Sequence, residues 1–327
     1  MADLNVSINA YVRDVIALPK DDISEAAKSR EWLLQRIAKE ISARRNEPVL
    51  FADRPFVYYG SYFKQTKVAA VDEYDVLVVI DSRSGVFKRG DVEIGTGEGA
   101  ADPNHKYDEK FKKTDGSGVS PAKLLNWLKG IVEDVVESFD GEAPEREGQA
   151  VTARIVSKGL KIDLVPAGIF RHTTSGEIFY DIPRGDKDNG WVLTAPEKDI
   201  ERLKEAANGR ENFRNVIRIA KRIKDTYRFQ VSSFAVETAI IDYTASHTWE
   251  DDLFSDLSGV LTYLASAFRG KIVSDPFDEK ANLLEGAEQL DWYAERLDAI
   301  VVELNNCVKE TDQDRVSEKV KRLFENE

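Results

Sequence analysis

The sequence predicts an α+β chain, with a mixed sheet-and-helix lobe over residues 1–195 and a helical lobe over residues 196–327. Three observations carry this expectation. A long amphipathic helix runs from Asp22 to Arg45, the run "EYDVLVVID" reads as a strand buried on both faces, and helical periodicity dominates from about Pro196 onward.

In the first helix, Ala26, Trp32, Leu33, Ile37 and Ile41 recur at helical spacing opposite a charged face. A strand candidate, "PFVYYG", precedes the run "GSYFKQTKVAAVDEYDVLVVID" (Gly60 to Asp81). Residues 82–120 are rich in Gly, Asp and Lys and read as a mobile loop or a frayed hairpin. Their "GTGEGA" has the wrong spacing for a dinucleotide fingerprint, and no clear helix follows it. Ser120 and Pro121 then open a helix as cap and first-turn residue. Two strands follow, "AVTARIVS" and "LKIDLVPAGIF", joined by a short turn at Lys158-Gly159. The remaining chain supplies five clear helical stretches, from "PEKDIERLKEAANG" to "QLDWYAERLDAIVVELNNCVKE".

Composition narrows the function. A net charge of −13 argues against the broad basic surface that duplex nucleic acid needs. No apolar run is long enough to span a membrane, and the N-terminus lacks a signal-peptide layout, so a cytoplasmic chain is expected. One cysteine, Cys307, excludes an internal disulfide or a multi-thiolate zinc site. The histidines (His105, His172 and His247) show no ligand spacing.

The informative residues are acidic. Side chains at i and i+2 of a strand share a face about 6–7 Å apart, so Glu73 and Asp75 point the same way and Asp72 points elsewhere with Tyr74. Asp163 stands alone in an apolar strand, between Ile162 and Leu164, and points away from their core face. If the two strands are neighbours, three carboxylates converge. Like charges that close raise one another's pKa unless a cation sits among them. Two Mg²⁺ ions would neutralise the set and support in-line phosphoryl chemistry, with Mn²⁺ as an alternative.

A Gly-Ser pair, an acid-x-Asp pair on a strand and a distant third Asp together resemble the DNA polymerase β-like nucleotidyltransferases. The resemblance implies that family's core, with its mixed sheet and long N-terminal helix, followed by a helical C-terminal lobe closing over the nucleotide. It implies that Gly60 and Ser61 hold the β- and γ-phosphates, that Glu73, Asp75 and Asp163 bind the metals, and that Asp163 assists as base. Within the superfamily, the Gly60 stretch is similar to that of animal cyclic GMP-AMP synthases. It also fits the G-S-x-x-x-G-T layout of bacterial relatives, with Thr66 matching and Gln65 departing from Gly. "VIRIAKRIKDTYRFQVSSFAVETAI" resembles the stretch where a Lys reaches the triphosphate and a Ser-Ser-aromatic turn meets the base. Lys221, Ser232, Ser233 and Phe234 occupy those places. "FYDIPRG…GWVLTAPEKD" is similar to the connector between the lobes of bacterial members.

These matches identify the chain as a member of the cGAS/DncV-like (CD-NTase) branch, the cyclic oligonucleotide synthases. What that implies is joining of NTPs (ATP, GTP or others) with pyrophosphate release, a bacterial anti-phage setting, and a product-sensing effector protein. A linear oligonucleotide synthase, an RNA-tailing enzyme and a non-catalytic scaffold are the alternatives.

Overall fold

The computed structural model describes residues 3–17, 20–45, 47–68, 73–83, 85–89, 91–99, 108–116, 118–139, 141–185 and 190–325. Asp72, Ala100, His105 and part of the expected connector (186–189) lie outside them. In chain order the elements are α1 (Leu4–Tyr11), α2 (Lys20–Ala43), β1 (Phe56–Tyr59), the single turn α3 (Gly60–Phe63), β2 (Glu73–Ile80), β3 (Val86–Arg89) and β4 (Val92–Gly97). Next come α4 (Asp108–Phe111), α5 (Pro121–Glu137), β5 (Glu145–Glu147), β6 (Ala150–Ile155), β7 (Leu160–His172), β8 (Ile178–Pro183) and β9 (Trp191–Thr194). The rest are α6 (Pro196–Ala207), α7 (Phe213–Thr226), α8 (Ser233–Ser246), α9 (Leu253–Gly270), β10 (Ser274–Asp275), β11 (Asp278–Asn282), α10 (Leu290–Cys307) and α11 (Gln313–Glu325).

The chain divides into two compact units, residues 19–63 with 71–199, and residues 1–18 with 64–70 and 200–327. The ranges differ from the expected lobes because α1 packs on α9 and α11 of the helical unit, where Tyr11 meets the ring of Phe324 edge-on.

In the sheet unit, nine strands form one sheet whose spine is β7. Strand β2 lies parallel to β7 and antiparallel to β1, while β6 and then β8 pair with β7. Tyr74, Val76, Val78 and Ile80 of β2 enter a core with α2 and α5, and Leu77 and Val79 enter a smaller core on the other face. That two-sided burial is why the strand reads as a continuous apolar run. Pro166 interrupts β7 between its pairing with β6 (through Leu164) and with β8 (from Gly168), where a residue without an N–H is tolerated.

The Gly-rich stretch is a hairpin rather than a loop. β4 runs through Gly95-Thr96-Gly97 and pairs with β7, and Phe87 of β3 packs on Phe170 and Phe179. The expected connector begins with the β8–β9 hairpin. At α5 the expected start holds, with the Ser120 hydroxyl accepting from the Lys123 N–H and Pro121 opening the helix. In α2, Ala26, Leu33, Ile37 and Ile41 are buried, whereas Trp32 stays exposed with Arg36 over its ring.

In the helical unit, α8 is buried on nearly every side, which places it at the centre of α7 and α9. Among the described residues no helix is long and apolar enough to cross a membrane.

Candidate active site

Parallel pairing of β2 with β7 sets two rows of side chains across the sheet. One row runs Tyr59, Asp75, Asp163, Thr152, because Tyr59 pairs with Asp75, Asp75 with Asp163, and Asp163 with Thr152. The next row runs Glu73, Lys161, Arg154. The three acids therefore meet at the start of the strands, where apolar Leu77 and Val79 no longer fill the face.

Lys161 places a cation among them. Its ammonium donates to Glu73 Oε1 (3.0 Å) and Glu147 Oε2 (2.9 Å) and lies 3.1 Å from Asp163 Oδ2. Burial works against this ammonium, but Glu147, Glu73 and Asp163 outweigh it and raise its pKa. Asp163 accepts from the Thr152 hydroxyl at 2.7 Å. Burial raises the Asp163 pKa, Thr152 and Lys161 oppose the rise, and Glu73 adds to it. The Tyr59 phenol is pushed well up by burial, then by Asp75, Asp163 and Glu73.

Gly60 explains why a glycine ends β1. Its φ is +77°, and a Cβ there would overlap the Asp75 carboxylate. The Gly60–Ser61 turn is thus seated directly on one of the acids, with Ser61 half-buried in α3. A cavity of about 590 Å³ opens beside Glu73 and Lys161, with Glu142, Arg154, Val156 and Gly159 among its lining.

The helical unit holds a second charged cluster. Lys64 donates to Glu237 Oε2 (2.7 Å), Lys221 to Glu237 Oε1 (3.0 Å), and the Thr66 hydroxyl to the same Oε1 (2.6 Å). Lys64 and Lys221 are 8% and 5% exposed and Glu237 only 3%, so Lys221 does not lie on a solvated helix face. Burial lowers the Lys221 pKa, Glu237 opposes that, and Lys64 lowers it further. Burial acts to raise the Glu237 pKa, but Lys221 and Lys64 bring it below the usual range.

Phe234 is half-buried rather than core. It stacks on Phe277 (6.3 Å between centroids, 10° between planes), with the Lys64 ammonium 5.2 Å from its ring. Ser232 is the N-cap of α8, its hydroxyl accepting from the Ala235 N–H at 3.0 Å, and Ser233 opens the helix.

Gly60, Ser61, Glu73, Asp75 and Asp163 therefore share the sheet unit, and Thr66, Lys221, Ser232, Ser233 and Phe234 the helical one. Sequence reasoning missed Lys161, Glu147, Lys64 and Glu237. Two of them carried a signal: Lys161 stands two residues before Asp163 on the same face, and Glu237 is a lone acid in an apolar helix, a position acids rarely take unpaired.

The three acids supply only oxygen donors, which suit hard ions such as Mg²⁺ or Mn²⁺. A cation already stands between Glu73 and Asp163 in the form of Lys161. Among the described residues, no three Asp, Glu, His or Cys side chains are gathered tightly enough to cage an ion in this conformation.

Residues 62–176 match the Mab-21 protein nucleotidyltransferase domain. The chain is 22% identical over 265 residues to a probable cyclic nucleotide synthase of Bacillus cereus (strain VD146), covering 80% of this chain and 78% of that protein. It is 23% identical over 165 residues to the cyclic GMP-AMP synthase of Sus scrofa, covering 47% of this chain and 31% of that protein. Two solved structures of CdnC from E. coli MS115-1 share the fold, each with a TM-score of 0.67. The complex with HORMA-deltaN is 14% identical and covers 98% of this chain and 96% of that one. The structure with ATP is 15% identical and covers 98% and 97%. The chain thus has the α+β fold of the CdnC structures. More particularly, residues 62–176 resemble a Mab-21-type nucleotidyltransferase domain, and the chain is similar to a probable cyclic nucleotide synthase.

Proposed function

We propose that this chain is a metal-dependent cyclic di- or trinucleotide synthase that makes a second messenger in a bacterial anti-phage system. The observation that carries the reading is the register of Asp75 opposite Asp163, with the Gly60–Ser61 turn seated on Asp75. Homology to cyclic nucleotide synthases supports the product class.

A hydroxyl of one bound NTP attacks the α-phosphate of another. The new P–O bond forms as the α–β phosphoanhydride bond breaks, and pyrophosphate leaves. Asp163 accepts the hydroxyl proton, while Glu73, Asp75 and Asp163 would hold two Mg²⁺ or Mn²⁺ ions. When bound, the ions supply charge neutralisation at the α-phosphate and the leaving group. Gly60 and Ser61 hold the β- and γ-phosphates. Lys221, with Thr66 beside it, meets the triphosphate, and Lys64 adds a second ammonium to that cluster. Phe234 offers its ring to a base, with Ser232 and Ser233 at the same helix start. ATP and GTP are the first candidates, duplex DNA is not a partner, and a product-sensing effector acts downstream in the cytoplasm. A regulatory protein partner fits the same reading, since CdnC is solved in a complex with a HORMA protein.

Incubation with all four NTPs and Mg²⁺, followed by phosphatase and mass spectrometry, tests this. A ring resists phosphatase and carries no terminal phosphate. Digestion to a species with a free 5′ end would assign a linear synthase instead, and extension of an added RNA would assign a tailing enzyme.

A further inference from the structure

We propose that Lys161 is a built-in counter-cation of the acid cluster, one that must leave its carboxylates before a divalent metal binds, with Glu147 as its other berth. The inference rests on the reading of Glu73, Asp75 and Asp163 as metal ligands.

Lys161 lies opposite Glu73 in parallel register and two residues before Asp163, so its stem runs along the acid face. The oxygens it engages, Glu73 Oε1 and Asp163 Oδ2, belong to carboxylates a metal would need. Its third contact is of another kind. Glu147 lies on β5, in neither the row of Asp75 nor that of Glu73, and its side chain is 46% exposed. Arg154 also approaches Glu147, at 3.5 Å, so that carboxylate stays compensated whether or not Lys161 turns fully onto it. Lys161 lines the cavity beside Glu73, which gives its long stem room to swing without disturbing the core.

Metal binding is therefore an exchange of one cation for another. The ammonium relieves carboxylate repulsion while the metal is away, and apparent metal affinity is lowered by the cost of displacing it.

The experiment is a Mn²⁺ titration of the full chain without nucleotide, read by the electron paramagnetic resonance signal of free Mn²⁺. Lys161→Met keeps the stem and removes the charge, so it is expected to bind Mn²⁺ about tenfold more tightly, an effect in the range for deleting a unit charge a few ångströms away. Lys161→Arg keeps the charge and is expected to stay near wild type. Glu147→Gln takes away the alternative berth and is expected to bind a few-fold more weakly. Without metal, Lys161→Met is expected to melt lower than wild type and to gain more from added Mn²⁺. Equal or weaker Mn²⁺ binding by Lys161→Met would overturn the proposal, leaving Lys161 a structural partner of the acids. Absence of Mn²⁺ binding in both wild type and Lys161→Met would overturn the metal-ligand reading itself.

Discussion

The sheet unit and the helical unit each carry a charged cluster, and the two are built in opposite senses. On the sheet, the Lys161 ammonium stands among the carboxylates of Glu73, Asp163 and Glu147, with Asp75 next in the row. Among the helices, the Glu237 carboxylate stands between the ammoniums of Lys64 and Lys221. Charges this enclosed cost free energy unless they are compensated, so each cluster depends on its central group of opposite sign. On the proposed reading, the sheet cluster receives the metals and the helical cluster the triphosphate.

Removing acids from the sheet cluster breaks the comparison most severely. Asp75→Asn and Asp163→Asn are expected to lower product formation by about 10³-fold or more while leaving the circular dichroism spectrum unchanged. Substantial residual activity in either variant would detach that acid from the chemistry. Removing the acid of the helical cluster is expected to act on stability instead. Glu237→Gln leaves two enclosed ammoniums facing each other and is expected to cost about 3–5 kcal/mol in urea unfolding. Adding Lys64→Met to that variant is expected to restore part of the loss.

A further acid sharpens the contrast, because Asp181 is buried with the Gly168 N–H (3.0 Å) donating to its carboxylate. Burial pushes its pKa up to about 7. The folded state therefore holds a proton that the unfolded state releases near the ordinary value of 3.8. This contribution to stability is fully present below that value, falls as pH rises, and is lost by about pH 7, a change of at most roughly 4 kcal/mol. Asp181→Asn is expected to flatten this part of the melting-temperature profile and to melt higher than wild type at pH 8. The smallest effect is on binding. Lys221→Ala and Lys64→Ala are each expected to raise the apparent KM for NTP about tenfold with kcat little changed. An unchanged KM in Lys64→Ala would remove Lys64 from the proposed phosphate contacts.

Legibility followed the kind of signal each residue leaves. The acid row was readable because period-2 alternation in two strands fixes which side chains share a face, and only the adjacency of the strands had to be supplied. The same alternation pointed at Lys161, but a lysine in a strand has many ordinary uses. Lys64 and Glu237 lie 173 positions apart, and no local pattern announces such a pairing. Helix α1 went unread because "LNVSINAY" has weak helix propensity. It is held by the Asp3 cap, whose side chain accepts from the Asn5 and Val6 N–H groups, and by burial of Leu4, Ile8 and Tyr11.

The position of β7 in the sheet also bears on how the chain is made. β2 has β1 on one edge and β7 on the other, and the Glu73–Lys161 contact spans 88 positions. At roughly 5–20 residues per second, a ribosome needs on the order of 5–20 s to deliver that partner after β2 emerges. Through that interval the Val76–Ile80 edge is unpaired, apolar and β-branched, the kind of strand that recruits other chains. The strand that aligns the acids is thus also the one whose late arrival leaves the nascent chain most open to aggregation, so substitutions that slow β7 pairing should reduce the yield of soluble protein before they affect the folded enzyme.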